Sequence, residues 1–221
     1  LESLGLDTHE YLYEVPIRRF LGASLQIDDT TYPLSPFASN AVTPTTTDGK
    51  IAGPLYYVGR GKLNELDDID LRDAIILMDF DSGRNWQLLA SLGARAVIFI
   101  QEETTHGRIF FTEKQELTPL RFPCFWMSHT DASQVFGSLR PSKNALFDHI
   151  TIESNTVWEN YLAKNIYAVI EGTDPEIAEE LLIVETFFDS EDFVYEHSPG
   201  ADAATSIATF LEVAKSLVNQ K

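Results

Sequence analysis

The chain has 221 residues, of which 44% are hydrophobic and 11% are aromatic, and its formal net charge is −18. This length and apolar content are sufficient for one large folded domain or two small ones, each with a buried core. An excess of 34 acidic over 16 basic residues disfavours nucleic acid and anionic membranes as partners, because like charges repel at long range. We therefore expect a solvated acidic surface and no nucleic-acid partner.

The ends of the chain and its cysteine carry little functional information. No apolar run approaches the roughly 18 residues that span a bilayer, and the chain opens with Leu-Glu-Ser-Leu, without an initiator Met or a signal peptide. We expect a processed protein or a piece of a longer one, with any targeting or membrane segment outside this sequence. The single cysteine, Cys124, lies among bulky apolar residues, which predicts buried packing and not a nucleophile.

The first 49 residues predict mostly extended structure. Residues 1–20 are expected to form a short amphipathic helix and then an extended segment with strand-like alternation. Residues 23–27 and 32–34 are apolar and flank a polar turn, which predicts a hairpin. Residues 38–49 are rich in turn formers, so we expect a domain edge there.

From residue 50 the pattern becomes that of alternating strands and helices, which is typical of α/β units. The predicted strands are 51–58, 74–78, 96–100 and 122–127, and the predicted helices are 85–92, ended by Gly93, and about 130–139, with Ser128 and Thr130 as candidate caps. A polar loop is expected over residues 101–118.

The last third of the chain repeats this alternation. Two strands are predicted at 150–154 and 165–170, then a short acidic helix at 176–180, a hydrophobic strand from Leu181 that ends in an acidic loop, and an amphipathic helix over about 202–218. In open α/β sheets the carboxyl end of a strand is where ligands usually bind. The Leu181 strand and its loop are therefore the predicted site.

Three segments in this order resemble the opening of the M28 family of zinc-dependent aminopeptidases and carboxypeptidases: residues 165–175, NIYAVIEGTDP; residues 181–190, LLIVETFFDS; and residues 199–202, PGAD. Residues 53–59, 73–78 and 92–98 resemble the protease-associated (PA) domain that is often inserted into that family. The resemblance implies an α/β fold: a partial zinc-peptidase-like (phosphorylase/hydrolase-like) mixed sheet with helices, plus an inserted β-rich α/β PA-like domain. It divides the chain into an N-terminal segment at 1–40, the PA-like domain at 41–145 and the start of the peptidase-like domain at 146–221, truncated at its C-terminus.

The same resemblance assigns the metal-site positions. In the family a His-x-Asp motif supplies a zinc-binding His and an Asp that orients it, and the Pro-Gly-Ala loop supplies a carboxylate that bridges two zinc ions, which activate water. In this chain the His position is Phe187, the orienting Asp is Asp189, and the bridging position is Ala203. A one-residue slip would make Asp202 the bridging residue, but Phe187 would still leave the zinc pair incomplete.

A different metal site is the alternative for this acidic loop. Its candidate ligands are Asp189, Glu191, Asp192, Glu196, His197 and Asp202, an oxygen-rich set of the kind that calcium accepts. An acidic solvent-exposed loop explains the same residues without a metal. The remaining histidines, His9, His106, His129 and His149, are scattered singly and are expected to be surface or packed side chains.

Two function classes follow from these residues. The first is a non-catalytic M28-like protein that binds a peptide or protein ligand, with no cofactor. The second is a zinc peptidase whose remaining ligands lie outside this chain. The resemblance also implies an extracellular, periplasmic or membrane-anchored location, and membrane association would require parts outside this chain.

Overall fold

The computed structural model describes residues 1–40, 49–102, 114–117, 120–177, 179–189, 193–194, 197 and 200–219, without the side chain of residue 202. These residues belong to two compact units. Unit 1 comprises Leu1–Ile17, Trp158–Glu191 and Ser198–Lys221, and unit 2 comprises Arg18–Val157 and Asp192–His197. The predicted PA-like segment at 41–145 lies within unit 2, and its identity as a PA domain stays a prediction.

Eight strands and four α-helices make up the described structure. The strands are β1 (Thr8–Ile27), β2 (Thr30–Pro33), β3 (Ser35–Pro36), β4 (Lys50–Tyr57), β5 (Ile75–Asp79), β6 (Ala96–Ile100), β7 (Cys124–Met127) and β8 (Phe147–Ala168). The helices are α1 (Leu63–Leu66), α2 (Trp86–Ser91), α3 (His129–Phe136) and α4 (Gly200–Val218), and a 3-10 helix covers Glu2–Leu4. The α/β fold class predicted from the sequence is confirmed.

A mixed sheet with the strand order β2-β1-β8-β4-β5-β6-β7-β3 organises unit 2. Strands β4, β5, β6 and β7 are parallel neighbours, whereas β8 on one side and β3 on the other pair antiparallel to this group. The predicted hairpin is confirmed, because β1 and β2 pair antiparallel from Ser24–Pro33 to Ile27–Thr30. The parallel group ends all its strands at one edge, where polar residues begin.

The parallel strands are buried on both faces of the sheet. Along β5, Ile76 and Met78 belong to one apolar cluster, whereas Ile75 and Leu77 belong to the other. Helix α2 covers the first cluster with Trp86, and α3 covers the second with Ala132. Side chains that alternate between two cores explain why these segments are continuous apolar runs in the sequence.

Local geometry agrees with two predicted details of unit 2. Ser128 caps α3: its Oγ accepts a hydrogen bond from the Asp131 N–H at 3.1 Å. Cys124 is buried in the first apolar cluster, as predicted, and burial raises the pKa of its thiol to about 12. A thiol held protonated in this way is a packing group and not a nucleophile.

Unit 1 contains the outer part of β1, the outer part of β8 and helix α4. Hydrogen bonds between side chains connect the two strands, from Tyr13 Oη to Asn165 Oδ1 at 3.4 Å and from Lys164 Nζ to Glu10 Oε1 at 2.6 Å. Helix α4 confirms the helix predicted over about 202–218. No described helix combines the length and the apolar character needed to cross a membrane.

Several predicted elements of the N-terminal and central regions differ from the structure. The predicted N-terminal helix is only the single turn Glu2–Leu4, after which β1 continues to Ile27 as one strand. Likewise, the predicted strands at 150–154 and 165–170 are parts of one continuous strand, β8. Residues 155–164, between those two parts, mix polar and bulky residues, and none of them is buried, which is compatible with an extended chain outside a core.

Two predicted elements after β8 are absent from the described residues. The acidic helix expected at 176–180 is a turn over 175–177 and 179, and the strand expected from Leu181 is extended coil through 187. Leu181 and Leu182 are 80% and 84% exposed. A strand requires a neighbouring strand for its backbone hydrogen bonds, and no described strand pairs with this segment.

Candidate functional site

The predicted metal-site positions fall in unit 1. Phe187 is 80% exposed and Phe188 is 57% exposed, and Asp189 is an exposed residue in the bend that follows them. A phenyl ring offers no lone pair to a metal ion. Phe187 therefore presents an apolar surface to solvent at the position that the resemblance assigns to a zinc-binding His.

Ala203 lies in the first turn of α4 and is partly buried. It shares a helix face with Ile207, Phe210 and Ala214, which are spaced three or four residues apart and are the less exposed side chains of this helix. The backbone of Asp202 is helical, and its side chain lies outside the described structure. The position that the resemblance assigns to the bridging carboxylate thus carries a methyl group on the less exposed face of the helix.

The alternative acidic metal set is not assembled within the described residues. Glu191, Asp192 and Glu196 lie outside them, whereas His197 belongs to unit 2 and packs on Trp126 with ring centroids 4.7 Å apart. Among the side chains that the structure describes, no group of three or more His, Cys, Asp or Glu residues is placed to hold a metal ion.

A polar cavity occurs elsewhere, at the carboxyl ends of the parallel strands of unit 2. Its volume is about 440 Å³, and it lies between these strand ends and helix α3. The lining residues are Tyr57, Asp79, Ile100, Gln101, Glu102, His129, Ala132, Ser133, Gly137, Ser138 and Leu139. We call this the strand-end cavity.

The ends of four parallel strands and the residues that follow them supply much of the polar lining. Tyr57 ends β4, Asp79 ends β5, and Glu102 follows β6 by two residues. His129 is the first residue of α3, directly after β7 and its cap. Because parallel strands end at the same edge, side chains that are distant in sequence meet here.

The best-defined contact in the cavity is a hydrogen bond that the Tyr57 hydroxyl donates to Asp79 Oδ1 at 2.6 Å. Burial, this hydrogen bond and the negative charge of Asp79 raise the pKa of Tyr57 well above its ordinary value. Tyr57 is therefore neutral and a donor at physiological pH, and it fixes the orientation of the Asp79 carboxylate.

In this cavity the ionised form of Glu102 is disfavoured. Burial is the main cause that raises the pKa of Glu102, with Asp79 and Asp81 adding repulsion while Arg60 opposes them. Glu102 Oε1 is buried and accepts no hydrogen bond in the described structure; Arg60 Nη2 lies 3.6 Å away. The same guanidinium nitrogen is closer to Asp81 Oδ2, at 2.9 Å.

Reasoning from the sequence missed this cavity. It placed strands at 74–78 and 96–100 but assigned no role to the acidic residues just beyond them, and it classed His129 as a surface or packed residue. The sequence signal for the cavity is the position of two acidic residues, because Asp79 and Glu102 each lie at the carboxyl end of a buried strand, and these two strands are parallel neighbours. The sequence pattern instead predicts a site at the end of the strand from Leu181.

Solved structures with similar folds include aminopeptidases of low sequence identity. An aminopeptidase from Aneurinibacillus sp. strain AM-1 matches with a TM-score of 0.55 at 18% identity, over 99% of this chain and 51% of that one. BSAP, a zinc aminopeptidase from Bacillus subtilis, matches with a TM-score of 0.50 at 16% identity, over 78% of this chain and 39% of that one. A peptidase M28 precursor from Shewanella amazonensis SB2B is 20% identical, with a TM-score of 0.46.

This chain has an aminopeptidase-like fold. It spans about half of the first of these structures and less of the others. No protein-family model matches the sequence, and no curated protein matches it. At such identity the likeness concerns the fold, and function has to be argued from the side chains.

The Tyr57–Asp79 hydrogen bond should contribute measurably to stability. We expect Tyr57→Phe to lower the free energy of unfolding by about 1–2 kcal/mol, because it leaves a part-buried carboxylate oxygen without its donor. Urea denaturation would measure this. Tyr56→Phe is the matched control, since Tyr56 is also half-buried and no described residue hydrogen-bonds its hydroxyl. Equal losses in both variants would contradict a specific role for the hydrogen bond.

Ionisation of Glu102 should destabilise the fold. Since its pKa is raised in the folded protein, the native state binds more protons than the unfolded chain above the ordinary glutamate pKa, and stability falls as pH rises through that window. We therefore expect Glu102→Gln to gain stability relative to the native protein between about pH 4 and pH 7. Urea denaturation at both pH values would measure the gain.

The control for this titration is Glu153→Gln, which removes one charge at an exposed position of β8. It corrects for the general effect of lowering the negative charge of an acidic protein. A change with pH no larger for Glu102→Gln than for Glu153→Gln would contradict the assigned destabilisation.

Proposed function

We propose that the protein is a non-catalytic relative of the M28 zinc peptidases, carrying a PA-like domain, that binds a peptide or protein ligand. The observation that carries this proposal is Phe187, an 80% exposed phenyl ring at the position that the resemblance assigns to a zinc-binding His. Ala203, at the position that the resemblance assigns to the bridging carboxylate, likewise has no donor atom. Losing two metal ligands removes the ion that performs the family's chemistry.

The exposed aromatic rings support a binding role. Phe187 and Phe188 follow an apolar segment in which Leu181 and Leu182 are also exposed. Contiguous exposed apolar surface is uncommon in folded proteins and often marks an interaction site. A phenyl ring at the former metal position would contact an apolar side chain of a ligand, where a His would have bound zinc.

The first test concerns metal and turnover. We expect the purified protein to contain no stoichiometric zinc and to release no arylamine from leucine p-nitroanilide, because the first zinc ligands are replaced. Elemental analysis and absorbance measure the two quantities. Stoichiometric zinc together with turnover would overturn the proposal in favour of the alternative, a zinc-dependent aminopeptidase or carboxypeptidase of the M28 type.

A double variant tests whether Phe187 and Ala203 occupy the ligand positions of one metal site. Phe187→His combined with Ala203→Asp supplies the two missing donors, and it should bind zinc at least about tenfold more tightly than either single variant if these are the ligand positions of one site. Additive effects of the single variants would indicate that Phe187 and Ala203 do not belong to a common metal site.

The second test concerns ligand binding. In a fluorescence anisotropy titration with a fluorescein-labelled library of apolar decapeptides, we expect Phe187→Ala to weaken binding about threefold to tenfold, because an aromatic anchor is lost. Leu117→Ala is the control, since Leu117 is 95% exposed and lies in unit 2. No peptide binding, or equal weakening by both variants, would argue against a peptide-binding role for unit 1.

A further inference from the structure

The strand-end cavity combines negative charge with an apolar wall. Asp79 and Glu102 contribute carboxylates, whereas Ile100, Ala132 and Leu139 contribute apolar side chains. Cavities with a few convergent polar groups on an otherwise apolar lining are typical small-molecule sites. The location also fits, because it is the carboxyl edge of a parallel sheet.

Among the described residues, Arg60 is the basic side chain that forms ion pairs with the carboxylates next to this cavity. Arg60 is within 4 Å of Asp81 and Glu102, and Asp79 and Asp81 both repel the charge of Glu102. The Arg60 guanidinium is thus shared between two carboxylates, those of Asp81 and Glu102. Glu102 Oε1 is inaccessible to solvent and accepts no hydrogen bond from any residue that the structure describes, which leaves a desolvated acceptor at the cavity.

We propose that the strand-end cavity binds a primary ammonium group that carries a short apolar chain. The ammonium donates hydrogen bonds to Asp79 and Glu102, and the carbon chain packs on the wall formed by Ile100 and Leu139. Tyr57 holds Asp79 in place through its 2.6 Å hydrogen bond. This site is independent of the function proposed for unit 1.

The described ligand set favours an organic cation over a metal ion. Asp79, Glu102 and His129 line the same cavity, but they are not grouped closely enough to hold a metal, since the described residues contain no such cluster. Divalent cations require several oxygen ligands at about 2.0–2.6 Å. An ammonium group instead needs two or three acceptors at hydrogen-bond distance, which two carboxylates can supply.

A free amine, a peptide N-terminus and a lysine side chain share this chemistry. We would titrate the ¹⁵N-labelled protein with isoamylamine, leucyl-glycinamide and Nα-acetyl-lysinamide, and follow the amide shifts of residues 100–102 and 129–139. All three carry a primary ammonium on an apolar chain, and their relative affinities identify the natural source. N-acetyl-leucinamide lacks the charge and should bind at least about tenfold more weakly than the best amine.

Two carboxylate variants test the contacts. Asp79→Asn and Glu102→Gln should each weaken binding of the best amine about tenfold or more, because each removes a charged acceptor. Asp29→Asn, in the exposed turn between β1 and β2, removes the same charge from the surface and should leave the affinity unchanged. Equal weakening by Asp29→Asn would reveal only general attraction to an acidic protein and would overturn the proposal.

A blocking variant keeps the test valid if a carboxylate variant unfolds. Ser133→Trp fills the cavity from an exposed position on α3, whereas Gln134→Trp is its exposed neighbour outside the lining. We expect the first to abolish amine binding and the second to preserve it. The proposal is overturned if both bind alike, if N-acetyl-leucinamide binds as tightly as the amines, or if Ca²⁺ or Mg²⁺ alone displaces the amine at stoichiometric amounts.

Discussion

Burial of four parallel strands on both faces is the constraint on which unit 2 depends. Strands β4 to β7 are parallel neighbours, and their side chains alternate between two separate apolar clusters. Parallel pairing requires crossover segments, and here α2 and α3 cover opposite faces. The same arrangement forces the polar residues that end each strand to meet at one edge. The strand-end cavity is thus a consequence of the topology, and its chemistry is set by a few residues beyond the strands.

In unit 1, by contrast with unit 2, segments of apolar composition are largely exposed. Its predicted strand from Leu181 has the apolar composition of a buried strand, yet Leu181, Leu182 and Ile183 are 80%, 84% and 69% exposed. Helix α4 buries Ala214 but leaves Leu211 and Leu217 about 40% exposed. Composition creates a tendency to be buried, whereas burial itself requires a partner surface. In this unit the apolar pattern therefore predicts more burial than the described residues have.

The sequence predicted those parts of the fold that depend on local pattern. The runs around Ile76, Ile98 and Phe125 were recognised as strands because they are continuously apolar, and Ser128 was recognised as a helix cap because of its side chain. The prediction was wrong where the secondary structure of a segment depends on the strands beside it. β8 is one strand where two were expected, because its middle is held by pairing and not by a core, and the segment from Leu181 is not a strand because no described strand pairs with it.

The cavity could not be predicted for a related reason. Asp79 and Glu102 are 23 positions apart in the sequence, and only the parallel register that pairs Asp79 with Ile100 brings them to one edge. The predicted metal positions, in contrast, rest on a resemblance of short motifs. Residue type alone decides whether a side chain at such a position has an atom that can bind a metal ion. At the two positions that the resemblance assigns to metal ligands, Phe187 and Ala203 carry no donor atom, whatever the packing around them.

The donor replacement proposed for Phe187 and Ala203 has a physical consequence for this segment. A zinc site orders its loop because the free energy of metal binding offsets the conformational entropy of the ligands. Without that contribution, a loop that follows an unpaired segment must be ordered by packing or by a bound partner. Phe187 is suited to the second route, since an exposed phenyl ring gains free energy when a ligand covers it. In the proposed binding role, the Phe187 ring would supply an ordering contact at the position that the resemblance assigns to a metal ligand.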